Sequence, residues 1–199
     1  MSNLSLAYQN LGQWSEAENT IAQSLEILEN STLKTQTYTE ILAKSLNTKA
    51  HLLWLKGNFE RAIATWDMAA NNYLQAGNQA QAINCKLNQT KALQALGFSS
   101  KAQKIATRIY QDLASIPSPK LKIRGLQRLG NVLRNVGNLP QSEQVLRESL
   151  DIAATPDTLL ELGNTERALS DSYLETNQPQ LAEQYAQAAI VHYQEAFNG

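Results

Sequence analysis

The chain has 199 residues, 17 Lys+Arg against 18 Asp+Glu, and a net charge of −1. That length supports one compact domain or a short repeat array with an apolar core, and the balance lacks the global charge of a non-specific nucleic-acid binder. At 43% hydrophobic and 18% charged residues the chain is no disordered polymer, while a single cysteine excludes an intramolecular disulfide and leaves no Cys/His cluster for structural zinc.

From the start of the chain, MSNLSLAYQN has neither the basic start nor the apolar stretch of a signal peptide. No apolar run reaches the roughly 18–20 residues that span a bilayer, so the sequence predicts a soluble, cytoplasmic protein without membrane contact. Leu, Ala, Gln and Glu are abundant and Val occurs four times, which favours helices over strands. A first helical hairpin is expected over 1–32, turning at LGQW, and its opening helix starts about one turn short of the others. The second spans 33–76 with its turn at KGNF, and the third spans 77–116 with its turn at LGFS. The fourth covers 117–155 around VGNL, and the fifth 156–199 around TNQP. Residues 31–37 and 115–120 read as the loops between repeats.

Aligned on Gly12, Gly57, Gly97, Gly137 and Asn177, the hairpins recur every 45, 40, 40 and 40 residues. Five residues after each anchor stand Ala17, Ala62, Ala102, Ser142 and Ala182; seven before stand Ser5, Ala50, Thr90, Gly130 and Ser170. Both columns are small, so two antiparallel helices can approach closely there. Four before each anchor the column is large: Tyr8, Leu53, Leu93, Leu133 and Tyr173. Gly and Asn at the anchors suit the left-handed residue that ends a helix. Pro140 and Pro179 fall early in their second helices, where the missing N–H costs little. Eight before the anchor, Leu4, Leu129 and Leu169 fit an apolar column, but Lys49 and Gln89 do not, which predicts irregular or rotated helices there. Trp66 reads as core and Trp14 as a packing residue at the first turn.

These columns resemble the tetratricopeptide signature over nearly the whole chain, with a period longer than that family's usual one. Segments such as LGQWSEAENTIAQSLEIL and LGNVLRNVGNLPQSEQVLRESLDIA also look like the repeats that precede caspase-like CHAT domains in cyanobacterial proteins. The resemblance implies an all-α fold: five hairpins stacked as a right-handed α-solenoid, forming one array over residues 1–199. It further implies that first helices line a concave groove and second helices form the convex back.

No constellation for catalysis, cofactor or metal is evident. His51 and His192 are far apart, Cys85 stands alone and is expected to be a buried thiol, and no glycine-rich phosphate loop occurs. Charge placement is more informative. Residues 1–100 are neutral, 101–134 carry +7, and 135–199 carry −8. Carried over by the resemblance, the groove positions give Asn47, His51 and Trp54 in the second repeat, and Asn84, Asn88 and Lys91 in the third. The fourth supplies Arg124, Gln127, Arg128, Asn131 and Arg134; the fifth supplies Asn164, Arg167 and Asp171. Amides can bond both polar groups of an extended backbone, arginines can grip carboxylates, and Trp54 offers a flat apolar anchor. The competing expectation is that Arg128 and Arg134 pair with Asp171 and Glu175. The leading functional expectation is a non-catalytic scaffold that binds a protein or peptide, acidic in character, in the groove. Two alternatives stand beside it: a regulatory region of a larger enzyme such as a CHAT protease, with its partner domain in cis, or a receptor for a small signalling ligand. The partner, the oligomeric state and the pathway are not specified by these residues.

Overall fold

The computed structural model describes residues 1–32, 35–152 and 156–198. Among them are ten α-helices: α1 (Ser2–Asn10), α2 (Trp14–Glu29), α3 (Gln36–Leu55), α4 (Phe59–Gln75), α5 (Gln79–Ala95), α6 (Ser99–Ala114), α7 (Pro119–Asn135), α8 (Leu139–Ile152), α9 (Leu159–Glu175) and α10 (Pro179–Asn198). A 3-10 turn at Pro156–Thr158 precedes α9, and none of the described residues lies in a strand. The chain divides into two compact units, Met1–Ala102 and Gln103–Gly199. In the first, α1 packs on α2, α3 on α4, and α4 on α5; in the second, α7 packs on α8, and α9 on α10.

Each hairpin turns where its anchor adopts a left-handed backbone. Gly12, Gly57, Gly97 and Gly137 have φ between +71° and +80°, and Asn177 has +57°. The next residue then donates its N–H back to the large residue four before the anchor: Gln13 to Tyr8, Asn58 to Leu53, Phe98 to Leu93, Asn138 to Leu133 and Gln178 to Tyr173. This closes the last helical turn and satisfies a carbonyl that the helix end would orphan. Gly77 (φ +78°) repeats the device between α4 and α5, where Asn78 donates to Tyr73. A Cβ on Gly137 would meet open space, so Gly137→Ala tests the backbone alone. Urea unfolding should show a loss of about 1–2 kcal/mol, and Gly137→Asn should lose less.

The two small columns form the crossing point of the hairpins. In the first, Ser5 Oγ donates to the carbonyl of Ala17 at 2.8 Å; in the fifth, Ser170 Oγ donates to that of Ala182 at 2.7 Å. In the fourth the direction reverses, and Ser142 Oγ donates to the Gly130 carbonyl at 2.7 Å. Gly130 has no room for more: an added Cβ would lie 2.6 Å from Leu146 Cγ.

Several sequence expectations change. Gln89 causes no irregularity: α5 runs through it, and its buried amide donates to the Ile63 carbonyl at 3.0 Å. Lys49 likewise sits within an unbroken α3. Pro119 opens α7, with Ser118 Oγ accepting from Leu121 N, so residues 119–120 belong to a helix and not to the preceding loop. The loop expected at 31–37 lies partly outside the described residues, and α3 already begins at Gln36, capped by Thr35. The first helix, at 9 residues against 17 for α5, is two turns short and not one. Trp14 is 42% exposed at the start of α2.

Candidate functional site

In unit 1, four of the sequence-selected residues meet. His51 and Trp54 lie one turn apart on α3, Asn88 and Lys91 one turn apart on α5, and all four line one pocket of about 80 Å³ with Trp66 of α4. The i, i+3 spacing puts each pair on one helix face. Trp66 forms the floor at 2% exposure. His51 is fixed by Gln9 of α1, whose Oε1 lies 3.0 Å from its Nδ1. Burial, and then the Lys91 ammonium, hold its pKa below the usual histidine value, so the ring is neutral near pH 7. With Nδ1–H donated to Gln9, Nε2 is an acceptor. The rings of His51 and Trp54 are tilted, 6.1 Å between centroids. The Trp54 Nε1–H is buried with no hydrogen-bond partner among the described residues. A buried donor without a partner costs about 1–3 kcal/mol, a cost that a ligand acceptor would relieve.

Asn47 has a different role. Its Oδ1 accepts from Trp66 Nε1 at 3.0 Å and lies 3.6 Å from Cys85 Sγ. It is directed at the neighbouring helices and not at the groove. Trp66 belongs to its own hairpin and Cys85 to the next; Gln127, ten before its anchor like Asn47, bonds the Glu161 carbonyl and Thr165 Oγ1 of the next hairpin. Cys85 is buried as expected, and burial pushes its thiol up to about 12, far from a reactive thiolate. Asn84 bonds Gln81 on its own helix.

In unit 2 two of the selected cations, Arg124 and Arg134, are engaged by acids on α9. Arg124 contacts Glu161 Oε1 through Nη2 at 2.7 Å and Nε at 2.8 Å, while Glu161 is only 2% exposed. Lys120 approaches the same oxygen at 3.8 Å. Arg134 lies 3.2 Å from Asp171 and 3.6 Å from Glu175, as the competing expectation had it. Asn164 accepts from Tyr193 at 3.0 Å. Arg128 and Arg167 are exposed, and Asn131 is half-buried. The +7 segment therefore presents less free positive charge than its composition suggests. Reasoning from sequence did not single out Glu161, Trp66 as a pocket floor, or Gln9 as the anchor of His51. A usable signal exists. Arg124–Glu161 and Arg134–Asp171 are 37 residues apart, and Asn47–Cys85 and Gln127–Thr165 are 38 apart. Partners on successive first helices are thus separated by the repeat period less two or three.

The fold, all-α and built of successive antiparallel hairpins closed by left-handed anchors, is that of the tetratricopeptide-like helical solenoids. Residues 1–30 match the family model described as tetratricopeptide repeat. Two crystal structures share the architecture. BtubC (BKLC) from P. vanneervenii is 16% identical with a TM-score of 0.74, over 98% of this chain and 79% of that one. A kinesin light chain protein of Podosopora anserina with nearly identical TPR-like repeats is 16% identical with a TM-score of 0.71, over 96% and 92%. No curated protein matches at a significant level. Among the described residues, no helix is long and apolar enough to cross a membrane.

Proposed function

We propose that the chain is a non-catalytic protein–protein interaction module that takes an extended partner segment across the first helices of unit 1. An acidic side chain of the partner sits at the pocket of His51, Trp54, Asn88 and Lys91. The observation that carries this reading is the convergence of four groove residues, all selected by the repeat spacing, on the lining of one pocket, together with the buried indole N–H of Trp54 that has no hydrogen-bond partner among the described residues. Its chemistry selects an acceptor. Lys91 supplies an ammonium, Asn88 an amide and Trp54 a donor, and none of the three has a hydrogen-bond or ion-pair partner among the described residues. The volume matches two or three waters of about 30 Å³ each, enough for a carboxylate head and too little for a ring. A preformed surface of this kind binds with little reorganisation. Arg124 and Arg134 of unit 2, matched by Glu161, Asp171 and Glu175, support a secondary role at most.

The test is selection of short extended peptides from a display library against the whole chain. Enriched peptides should share an Asp or Glu at one position, and Trp54→Ala and Lys91→Glu should each weaken them by about tenfold or more. Arg124→Ala should not change their affinity if the chain remains folded at the assay temperature. Enriched peptides without a common acid, or unaffected by both pocket variants, overturn the reading.

A further inference from the structure

In the column eight before each anchor, Leu4 is 49% exposed and Lys49 is half-buried. Leu129 and Leu169 fill it with fully buried side chains, and Gln89 fills it by bonding the α4 backbone. Lys49 does neither: it is half-buried and has no hydrogen-bond or ion-pair partner among the described residues. A pocket of about 200 Å³ opens at that place, where α2, α3 and α4 meet. Its floor is Ile21, Leu25, Leu52 and Leu53, with Ile21 and Leu52 buried. Its rim carries Lys49 and Arg61, whose guanidinium also has no partner among the described residues, and Glu18, which is held by Lys56 at 2.5 Å. This pocket is separate in its lining from the groove pocket, and no residue is shared.

We propose that it is a binding site for a small amphipathic carboxylate: an apolar body of about six to eight carbons on the leucine–isoleucine floor, with its carboxylate between Lys49 and Arg61. Size sets the body, since an apolar cavity of about 150 Å³ takes benzene. Charge sets the head. Two cations face the rim without matching acids, Glu18 being neutralised by Lys56, and a guanidinium is the best carboxylate fork among side chains. A neutral ligand would leave that charge unused, and a larger one would exceed the floor. The sequence feature behind the site is the substitution of Lys for an apolar residue at one position of a repeating column. It puts a cation where Leu129 and Leu169 bring an apolar side chain.

The experiment uses the whole chain, with hexanoate and benzoate as probes and hexanol as the neutral control, followed by amide NMR shifts. Wild-type protein should show saturable shifts at Ile21, Leu25 and Leu52, with Kd on the scale of about 1 mM expected for ligands of this size. Hexanol should bind several-fold more weakly. Lys49→Met together with Arg61→Gln keeps the volume and removes the charge, so hexanoate should fall to the level of hexanol. Ala22→Phe puts a ring into the pocket from its own lining, so both ligands should be lost, and an unchanged melting temperature shows that the loss is not unfolding. Two results overturn the proposal. One is the absence of saturable shifts at the floor residues with either acid; the other is binding that survives in Ala22→Phe.

Discussion

Arg124→Ala is expected to destabilise unit 2 by about 2–4 kcal/mol. Glu161 carries a carboxylate at 2% exposure, and its Oε1 depends on the Arg124 guanidinium at 2.7–2.8 Å. Its Oε2 already lacks a hydrogen-bond partner among the described residues. Taking the guanidinium away leaves a desolvated charge whose nearest remaining cation, Lys120, is 3.8 Å from Oε1. The upper end of the range for a broken buried pair is about 5 kcal/mol; Lys120 and the half-exposed position of Arg124 reduce it here. The reverse change, Glu161→Gln, strips charge from the buried side and leaves Arg124 free to hydrate, so it should cost less. Urea unfolding of the two variants measures the asymmetry. Equal and small effects would return Arg124 to the pool of groove cations available to a ligand, and would weaken the distinction drawn between the two units.

Trp66→Ala should cost about 3–5 kcal/mol in unit 1. The ring lies in the cluster of Ala43, Leu46, Ala50, Ala62 and Ala69, with Trp54 and Phe59 packed against it. Small residues surround it, so they cannot move in to fill the space. Trp66→Phe separates the ring from its N–H. Most of the volume stays, but the Oδ1 of Asn47 loses its donor, at about 1–2 kcal/mol. Asn47→Ala should cost a similar amount in the wild type and nearly nothing in the Trp66→Phe background. The resulting coupling of about 1 kcal/mol would identify Asn47 as a residue that positions a core tryptophan. If Asn47→Ala left stability unchanged and weakened the selected peptides instead, the groove assignment made from spacing would be restored.

The ion pairs and the pocket show how much a repeat reveals and where it stops. The hairpin columns were legible because each has a single physical requirement that repeats: a left-handed residue at the anchor, a small one at the crossing, a large one four before the anchor. The groove pocket was legible in part, because His51, Trp54, Asn88 and Lys91 follow from the same periodicity. Asn47 and Gln127 were assigned to the groove on the same evidence, yet Asn47 is taken up by Trp66 of its own hairpin and Cys85 of the next, and Gln127 by α9 of the next. A column position specifies a direction, and a neighbour's chemistry decides whether the side chain is taken up.

The amino-acid sequence by itself determined the all-helical class, the five anchor turns and the crossing points, since these depend on backbone freedom and side-chain size within one hairpin. Tertiary structure alone decided which charges are free. The pairing of Arg124 with Glu161, the bond from Gln9 to His51 and the pocket rimmed by Lys49 all join different hairpins. Their strength depends on burial and on distances of a few ångströms between helices, and the separation of residues along the chain does not encode either quantity.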